Sequence, residues 1–201
     1  MKIIFVRHGK DDGQYRGGWS DLDLIPEGKE QAKKVAKYLK ENEDIFHISA
    51  IISSDLRRAL TTANYIGDEL KISIMKDPEL REMNNGDLAG MLNEIALKKY
   101  PGLFFSTLRM DEAYPNGESP NDFYCRVKKW LDDFLAVCRN KDTGNVLVVT
   151  HGGVISLIYH LVEQITWSNQ SNLFKVSNCS VHVLNTETLQ FEIKNKTDFL
   201  L

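Results

Sequence analysis

No apolar run in the 201-residue sequence approaches the length of a membrane span. The opening run, Met1 to Val6, is too short for a signal peptide and is broken at once by Arg7. Both absences predict a soluble, cytoplasmic protein. A basic excess is missing too: the formal net charge is -3, which gives no support for nucleic acid binding, so any anion site has to be a local cluster. Cysteine is scarce. Cys125, Cys138 and Cys179 are an odd number with no close pair, which argues against a disulfide framework and a zinc knuckle and predicts buried, reduced thiols. Internal repeats and low-complexity tracts are also lacking. What is present is 42% hydrophobic and 26% charged residues, enough for one good core, and the simplest reading is a single domain over residues 1–201.

The stretch around which the chain is organised is Lys2-Ile3-Ile4-Phe5-Val6-Arg7-His8-Gly9. Its β-branched apolar run, ended by a cation, an imidazole and a glycine, reads as a buried parallel strand whose carboxyl end opens into a site. Lys10 to Asp23 is a polar, glycine-bearing loop with Trp19 as its one large apolar anchor. From Pro26, the spacing of Ala32, Val35, Ala36 and Leu39 predicts a helix. Ile48 to Ser53 is a second strand, followed by a helix over about Leu56 to Leu70 with Leu56, Ala59, Leu60, Ala63, Ile66 and Leu70 on its buried face. A short strand at Ile72 to Met75 leads to a loop from Pro78 to Gly90, then to a short insertion (about 91–119) containing a helix at Glu94 to Lys99. A long amphipathic helix starts near Pro120, with Lys141 to Asn145 as the turn out of it. Val146 to Thr150 repeats the opening pattern, ending in His151-Gly152-Gly153 and a helix from Val154 to about Val162. Ser180 to Leu184 and Leu189 to Ile193 form a hairpin. The alternation predicts an α/β, three-layer sandwich with a mostly parallel central sheet, helices on both faces and an antiparallel edge.

Arg7, His8, Arg58 and His151 each lie at a strand end or at the start of the helix after one. In a parallel sheet such positions converge on one rim. Two guanidiniums can clamp a tetrahedral oxyanion, and the amides from Gly152 onward, at a helix head, add donors. A phosphate is the guest these groups fit. Arg-His-Gly alone arises by chance in roughly one chain in a hundred, so the joint arrangement decides.

That arrangement resembles the histidine phosphatase superfamily, the phosphoglycerate-mutase-like proteins. The motifs are Arg7-His8-Gly9, Ser53-Ser54-Asp55-Leu56-Arg57-Arg58-Ala59 with Thr62-Ala63, Leu80-Arg81-Glu82 followed by Gly86 and Gly90, Gly117-Glu118-Ser119, and Thr150-His151-Gly152. They occur in the family's order and cover residues 1 to about 165. The resemblance implies that His8 is the nucleophile that becomes a phosphohistidine. It implies that Arg7, Arg58 and His151 bind the phosphoryl oxygens, that Glu82 is the proton donor, and that no metal and no cofactor is used. Lys10 stands where the family often has glutamate. The asparagine usual in the following loop is absent, which makes Gln14 or Arg16 a substitute phosphate contact.

By that resemblance the protein is a phosphomonoester hydrolase of the histidine acid type, acting on a small-molecule phosphate ester. The alternatives are a cofactor-dependent phosphomutase and a non-catalytic phospho-ligand-binding protein. Mutases of this type usually carry a longer insertion that keeps the phosphoenzyme from water, and the one here is short, which favours hydrolysis. Retention of both His8 and Glu82 favours turnover over mere binding. His47, His160 and His182 are scattered and read as structural or exposed. Glu118 is a further pocket-lining candidate, and Tyr15, Trp19, Phe104 and Phe105 are candidates for shaping the substrate mouth.

Overall fold

Ile3, Ile4, Phe5 and Val6 are all fully buried, yet they serve two cores: Ile3 and Phe5 belong to one apolar cluster, Ile4 and Val6 to the other. A strand whose side chains alternate between faces and are apolar on both must be covered on both. In the computed structural model, which describes residues 1–138 and 144–201, this strand (β1, Lys2–Arg7) lies inside a six-stranded sheet. The other strands are β2 (Ile48–Ser53), β3 (Ile74–Lys76), β4 (Asn145–Thr150), β5 (Val181–Asn185) and β6 (Gln190–Lys196), in the order β3-β2-β4-β1-β5-β6. β3, β2, β4 and β1 are mutually parallel, and β5 runs antiparallel to both β1 and β6. The sheet is mostly parallel, as the strand and helix alternation predicts, and the hairpin forms its edge.

Helices α1 (Pro26–Glu41) and α3 (Arg57–Leu70) cover one face through Ala32, Val35, Ala36, Leu39, Ala59, Ala63 and Ile66. Helices α5 (Pro120–Cys138) and α6 (Gly152–Val162) cover the other through Phe123, Val127, Trp130, Leu131, Val154, Ile155 and Ile158. Two short helices complete the set: α2 (Glu43–Phe46), which nothing in the sequence pattern predicts, and α4 (Asn93–Lys99). No helix among the described residues is long and apolar enough to cross a membrane.

Several expectations are corrected. Cys138 and Cys179 are buried, but Cys125 is exposed. It sits two residues from Phe123 on α5, about 200° round the helix from the buried face. The buried face of α3 is rotated from the expected one: Leu60 and Leu70 are only half-buried, whereas Arg58, Thr62 and Gly67 face inward. β3 starts at Ile74 because Lys71 adopts a left-handed conformation and the Ile72 N–H still donates to the Gly67 carbonyl, so the helix cap occupies the residues expected to open the strand. The expected turn at Lys141 to Asn145 lies in part, at 141–143, outside the described residues.

His182 on β5 is fully buried between Tyr159 and Ser180, with Nδ1 to Tyr159 Oη at 2.7 Å and Nε2 to Ser180 Oγ at 2.8 Å. Burial pushes its pKa down from 6.5 to about 4. The unfolded chain therefore binds one more proton at this ring between those two values, so the contribution is full above pH 6.5 and is lost as pH falls through the window. The urea midpoint should drop between about pH 7 and about pH 5, and His182→Gln should make that drop shallower by one ring's share, leaving that of the other buried imidazoles, whatever it does to stability at neutral pH. An unchanged slope in the variant would show that other groups carry the dependence.

Candidate active site

β2, β4 and β1 are adjacent and parallel, so their carboxyl ends deliver three segments to one rim: Arg7 and His8 from β1, Ser54 and the head of α3 from β2, and His151 from β4. Where the chain leaves this rim after His8, Gly9 packs against Gly28: a Cβ on Gly9 would overlap the Gly28 carbonyl in the first turn of α1. Two further bonds hold His8 in place, from its own N–H to the Thr150 carbonyl at 3.0 Å and from Asn178 Nδ2 to its carbonyl at 3.1 Å.

The ring of His8 has its tautomer fixed from both sides. Nδ1 lies 2.7 Å from the Gly9 carbonyl oxygen, which can only accept, so Nδ1 carries the hydrogen. Arg58 Nε–H donates to Nε2 at 3.3 Å, so Nε2 holds a lone pair. Burial, then Arg58, then Arg7 hold the His8 pKa well below 6.5, and the ring is neutral at physiological pH. His151 lies beside it, with ring centroids 5.0 Å apart, and its pKa is likewise held well below the ordinary value, by burial first and then by Arg58. His151 Nε2 is 2.8 Å from Ser54 Oγ. When that hydroxyl donates, the ring hydrogen of His151 sits on Nδ1.

Arg58 is only 2% exposed. Its guanidinium donates to the Gly18 carbonyl at 2.7 Å, the Ser20 carbonyl at 3.2 Å and Ser20 Oγ at 3.3 Å, and Asp11 Oδ2 stands 3.5 Å from Nε. Burial lowers its pKa, with Asp11 and Glu82 opposing. Arg7 donates through Nη1 to the Val176 carbonyl at 2.7 Å. Among the described residues, three buried side-chain polar atoms have no hydrogen-bond partner: Arg7 Nε, His151 Nδ1 and Arg16 Nε. The first two belong to residues of this cluster, where a donor without an acceptor costs free energy unless an anion completes it.

Glu82 anchors its carboxylate on two amides, Gly153 N–H at 3.0 Å and Met83 N–H at 3.2 Å. Its carbonyl accepts from Trp19 Nε1 at 2.6 Å and from Arg126 at 3.2 Å. A Cβ on Gly153 would collide with the Glu82 carboxylate, so the second glycine after His151 makes room for the acid. Gly152 opens α6 against the Arg7 guanidinium, 3.4 Å from where its own Cβ would stand.

Not every candidate joins the cluster. Lys10 pairs with Glu27 at 2.6 Å, its ammonium turned toward the first turn of α1, and Gln14 is exposed. Arg16 lies over the Phe104 ring, 4.4 Å from its centroid, and lines a cavity beside Glu82. Glu118 is paired with Arg126 at 2.7 Å and accepts from the Asn84 N–H, so it braces the Glu82 segment. Sequence reasoning missed Asp11, Ser54, Arg126 and the 176–180 segment as neighbours of the site. Arg126 carried a findable signal, a cation on the amphipathic helix next to buried Val127, whereas the backbone of residues 176–180 carries none.

Comparison with known proteins is consistent with this geometry. The family model described as the histidine phosphatase superfamily (branch 1) matches residues 3–198. The chain is 33% identical over 190 residues to the phosphoglycerate mutase-like protein 4 of Arabidopsis thaliana, covering 90% of this chain and 78% of that one. It is 32% identical over 178 residues to the putative phosphoserine phosphatase 2 of Hydrogenobacter thermophilus, covering 86% and 83%. Among solved structures, a mycobacterial glucosyl-3-phosphoglycerate phosphatase superposes with a TM-score of 0.77 at 26% identity, covering 98% of this chain and 99% of that one.

The two adjacent arginines are separable. Arg58 is buried in the cluster, whereas Arg57 is exposed and paired with exposed Asp21, a contact of little energetic weight. Lysine cannot reproduce the forked donors. Titration calorimetry with inorganic phosphate should show Arg58→Lys weakening binding by about tenfold or more, with Arg57→Lys close to the parent. The reverse order would move the anion site to the other side of α3.

Proposed function

The chain belongs to the histidine phosphatase superfamily, and on that premise we propose that it hydrolyses monoesters of small phosphorylated metabolites through a phosphohistidine on His8, acting as a single domain. The observation that carries this reading is the tautomer of His8, whose Nδ1 is committed to the Gly9 carbonyl while Nε2 keeps its lone pair within reach of Arg58.

In the first step the Nε2 lone pair forms a bond to phosphorus as the ester P–O bond breaks, and Glu82 in its protonated form gives its proton to the departing alkoxide. Arg7 and Arg58 balance the charge spread over the phosphoryl oxygens and neutral His151 donates a hydrogen bond to one of them, so the chemistry depends chiefly on positioning and electrostatics. The second step runs the other way. Water forms the new O–P bond, Glu82 carboxylate takes its proton, and the N–P bond breaks to return neutral His8 and inorganic phosphate. Relatives whose names contain phosphatase support hydrolysis. So does the short 91–119 segment, with one helix and one 3₁₀ turn.

Incubation with a radiolabelled phosphate ester followed by an alkaline quench should trap an acid-labile phosphoenzyme that His8→Ala lacks. Label persisting in the variant would remove His8 as nucleophile. If turnover of a phosphoglycerate required added bisphosphate and gave an isomer rather than free phosphate, the protein would be a mutase.

Acid catalysis by Glu82 is tested by the leaving group. With a sugar phosphate, Glu82→Gln should slow single-turnover phosphoenzyme formation by about 10²- to 10⁴-fold. With p-nitrophenyl phosphate, whose leaving group is stable as an anion, the loss should be much smaller. Equal losses would show that Glu82 is not the leaving-group acid.

A further inference from the structure

A cavity of about 450 Å³ opens beside Glu82, with Gly153 at the same end, walls made by Phe104, Phe105 and Tyr114, and Arg16 as the single basic side chain in its lining. A leaving alcohol protonated by Glu82 has to enter this space. The volume lies within the range of pockets that hold whole organic ligands, of order 300–1,000 Å³, and exceeds what a two- or three-carbon alcohol fills.

Arg16 brings a guanidinium to the lining of this cavity. Its backbone is fixed on both sides, its N–H donating to the Met91 carbonyl at 2.8 Å and its carbonyl accepting from the Gly90 N–H at 2.8 Å. The guanidinium stacks on Phe104, and its buried Nε has no hydrogen-bond partner among the described residues. A stacked guanidinium keeps its in-plane donors free, and those donors match a carboxylate or another oxyanion. Tyr114 adds a neutral donor, since burial pushes its phenol pKa up to about 12. The pocket therefore joins aromatic walls to a cationic edge, and Arg7 and Arg58 are not part of its lining.

Resting on the phosphatase reading above, we propose that this cavity is a leaving-group subsite for a flat, largely apolar alcohol that carries an anionic oxygen group, with the body against Phe104 and Phe105 and the anion on Arg16. The preferred substrate is then a phosphate ester with a second, distal negative charge on a planar frame.

The probes are para-carboxyphenyl phosphate, phenyl phosphate and glycerol phosphate, each compared between the parent enzyme and a variant so that intrinsic ester reactivity cancels. Arg16→Met keeps the apolar stem over Phe104 and removes the charge. It should lower kcat/KM for the carboxyphenyl ester by about ten- to a hundredfold more than for phenyl phosphate, the range for one lost charge-assisted hydrogen bond. Phe104→Ala should penalise both aryl esters more than glycerol phosphate. Equal losses for carboxyphenyl and phenyl esters in Arg16→Met would overturn the proposal and return Arg16 to the role of a phosphoryl contact or a structural residue. Binding of para-hydroxybenzoate, followed by calorimetry, separates this idea from the catalytic one. It should bind the parent protein and weaken about tenfold or more in Arg16→Met even if no ester ever phosphorylates His8. Failure to bind the parent would overturn the subsite alone.

Discussion

The structure depends on burying one guanidinium. Arg58 sits 2% exposed under the sheet rim, and a cation placed there must have its donors satisfied or unfold the region around it. The loop after β1 supplies the acceptors: the carbonyls of Gly18 and Ser20 turn onto Arg58, and Ser20 adds its hydroxyl. That turn needs Gly18, whose φ of +56° suits glycine and whose Cβ would strike the Asn85 amide. Trp19, between the two cage residues, then donates its indole N–H to the Glu82 carbonyl. The cage around the arginine thus also ties down the Glu82 backbone across the site.

Burial, reinforced by the same cation, decides the protonation of its neighbours. With water excluded and the Arg58 and Arg7 guanidiniums close by, an imidazolium at His8 or His151 would be a desolvated cation beside two others, and both rings are driven neutral. Neutrality alone leaves either ring nitrogen free to carry the hydrogen. At His8 the choice is made by the Gly9 carbonyl, an acceptor one residue away in the chain, so the lone pair is set by backbone that the Gly9 and Gly28 contact positions. Burial and electrostatics keep the ring neutral, and local geometry chooses which nitrogen holds the lone pair.

Much of this was legible in the sequence because strand ends are. An apolar run cut off by Arg7-His8-Gly9 or by His151-Gly152 marks both a strand and its mouth, and the parallel pairing of β1, β4 and β2 brings those mouths together. Arg58 was legible for a different reason, since its place in the motif fixed the phase of α3 even though the apolar pattern put Leu60 and Leu70 on the buried face. What the sequence concealed are contacts made by main chain or by long side chains free to turn. Lys10 is next to Gly9 in sequence but reaches Glu27, and the Val176 carbonyl that holds Arg7 has no residue-type signature. Cys125 misled because scarcity of cysteine says nothing about helix phase.

The site also sorts its carboxylates by partner. Asp55 receives both arms of Arg81 at 2.6 Å, a pairing that holds its carboxyl below the usual carboxylate range, and Glu118 is forked with Arg126. A carboxylate gripped by a guanidinium in this way has its oxygens committed and its charge stabilised, so it is a poor proton carrier. Glu82 is held differently. Backbone amides meet its oxygens, Arg126 takes its main-chain carbonyl, and Arg58 interacts with its charge without a hydrogen bond to it. Position is thereby fixed through the backbone, and among the described residues no guanidinium is hydrogen-bonded to this carboxylate as Arg81 is to Asp55, which suits the acid and base role proposed for Glu82. Arg126 therefore contributes twice, by clamping the Glu82 carbonyl and by pairing with Glu118.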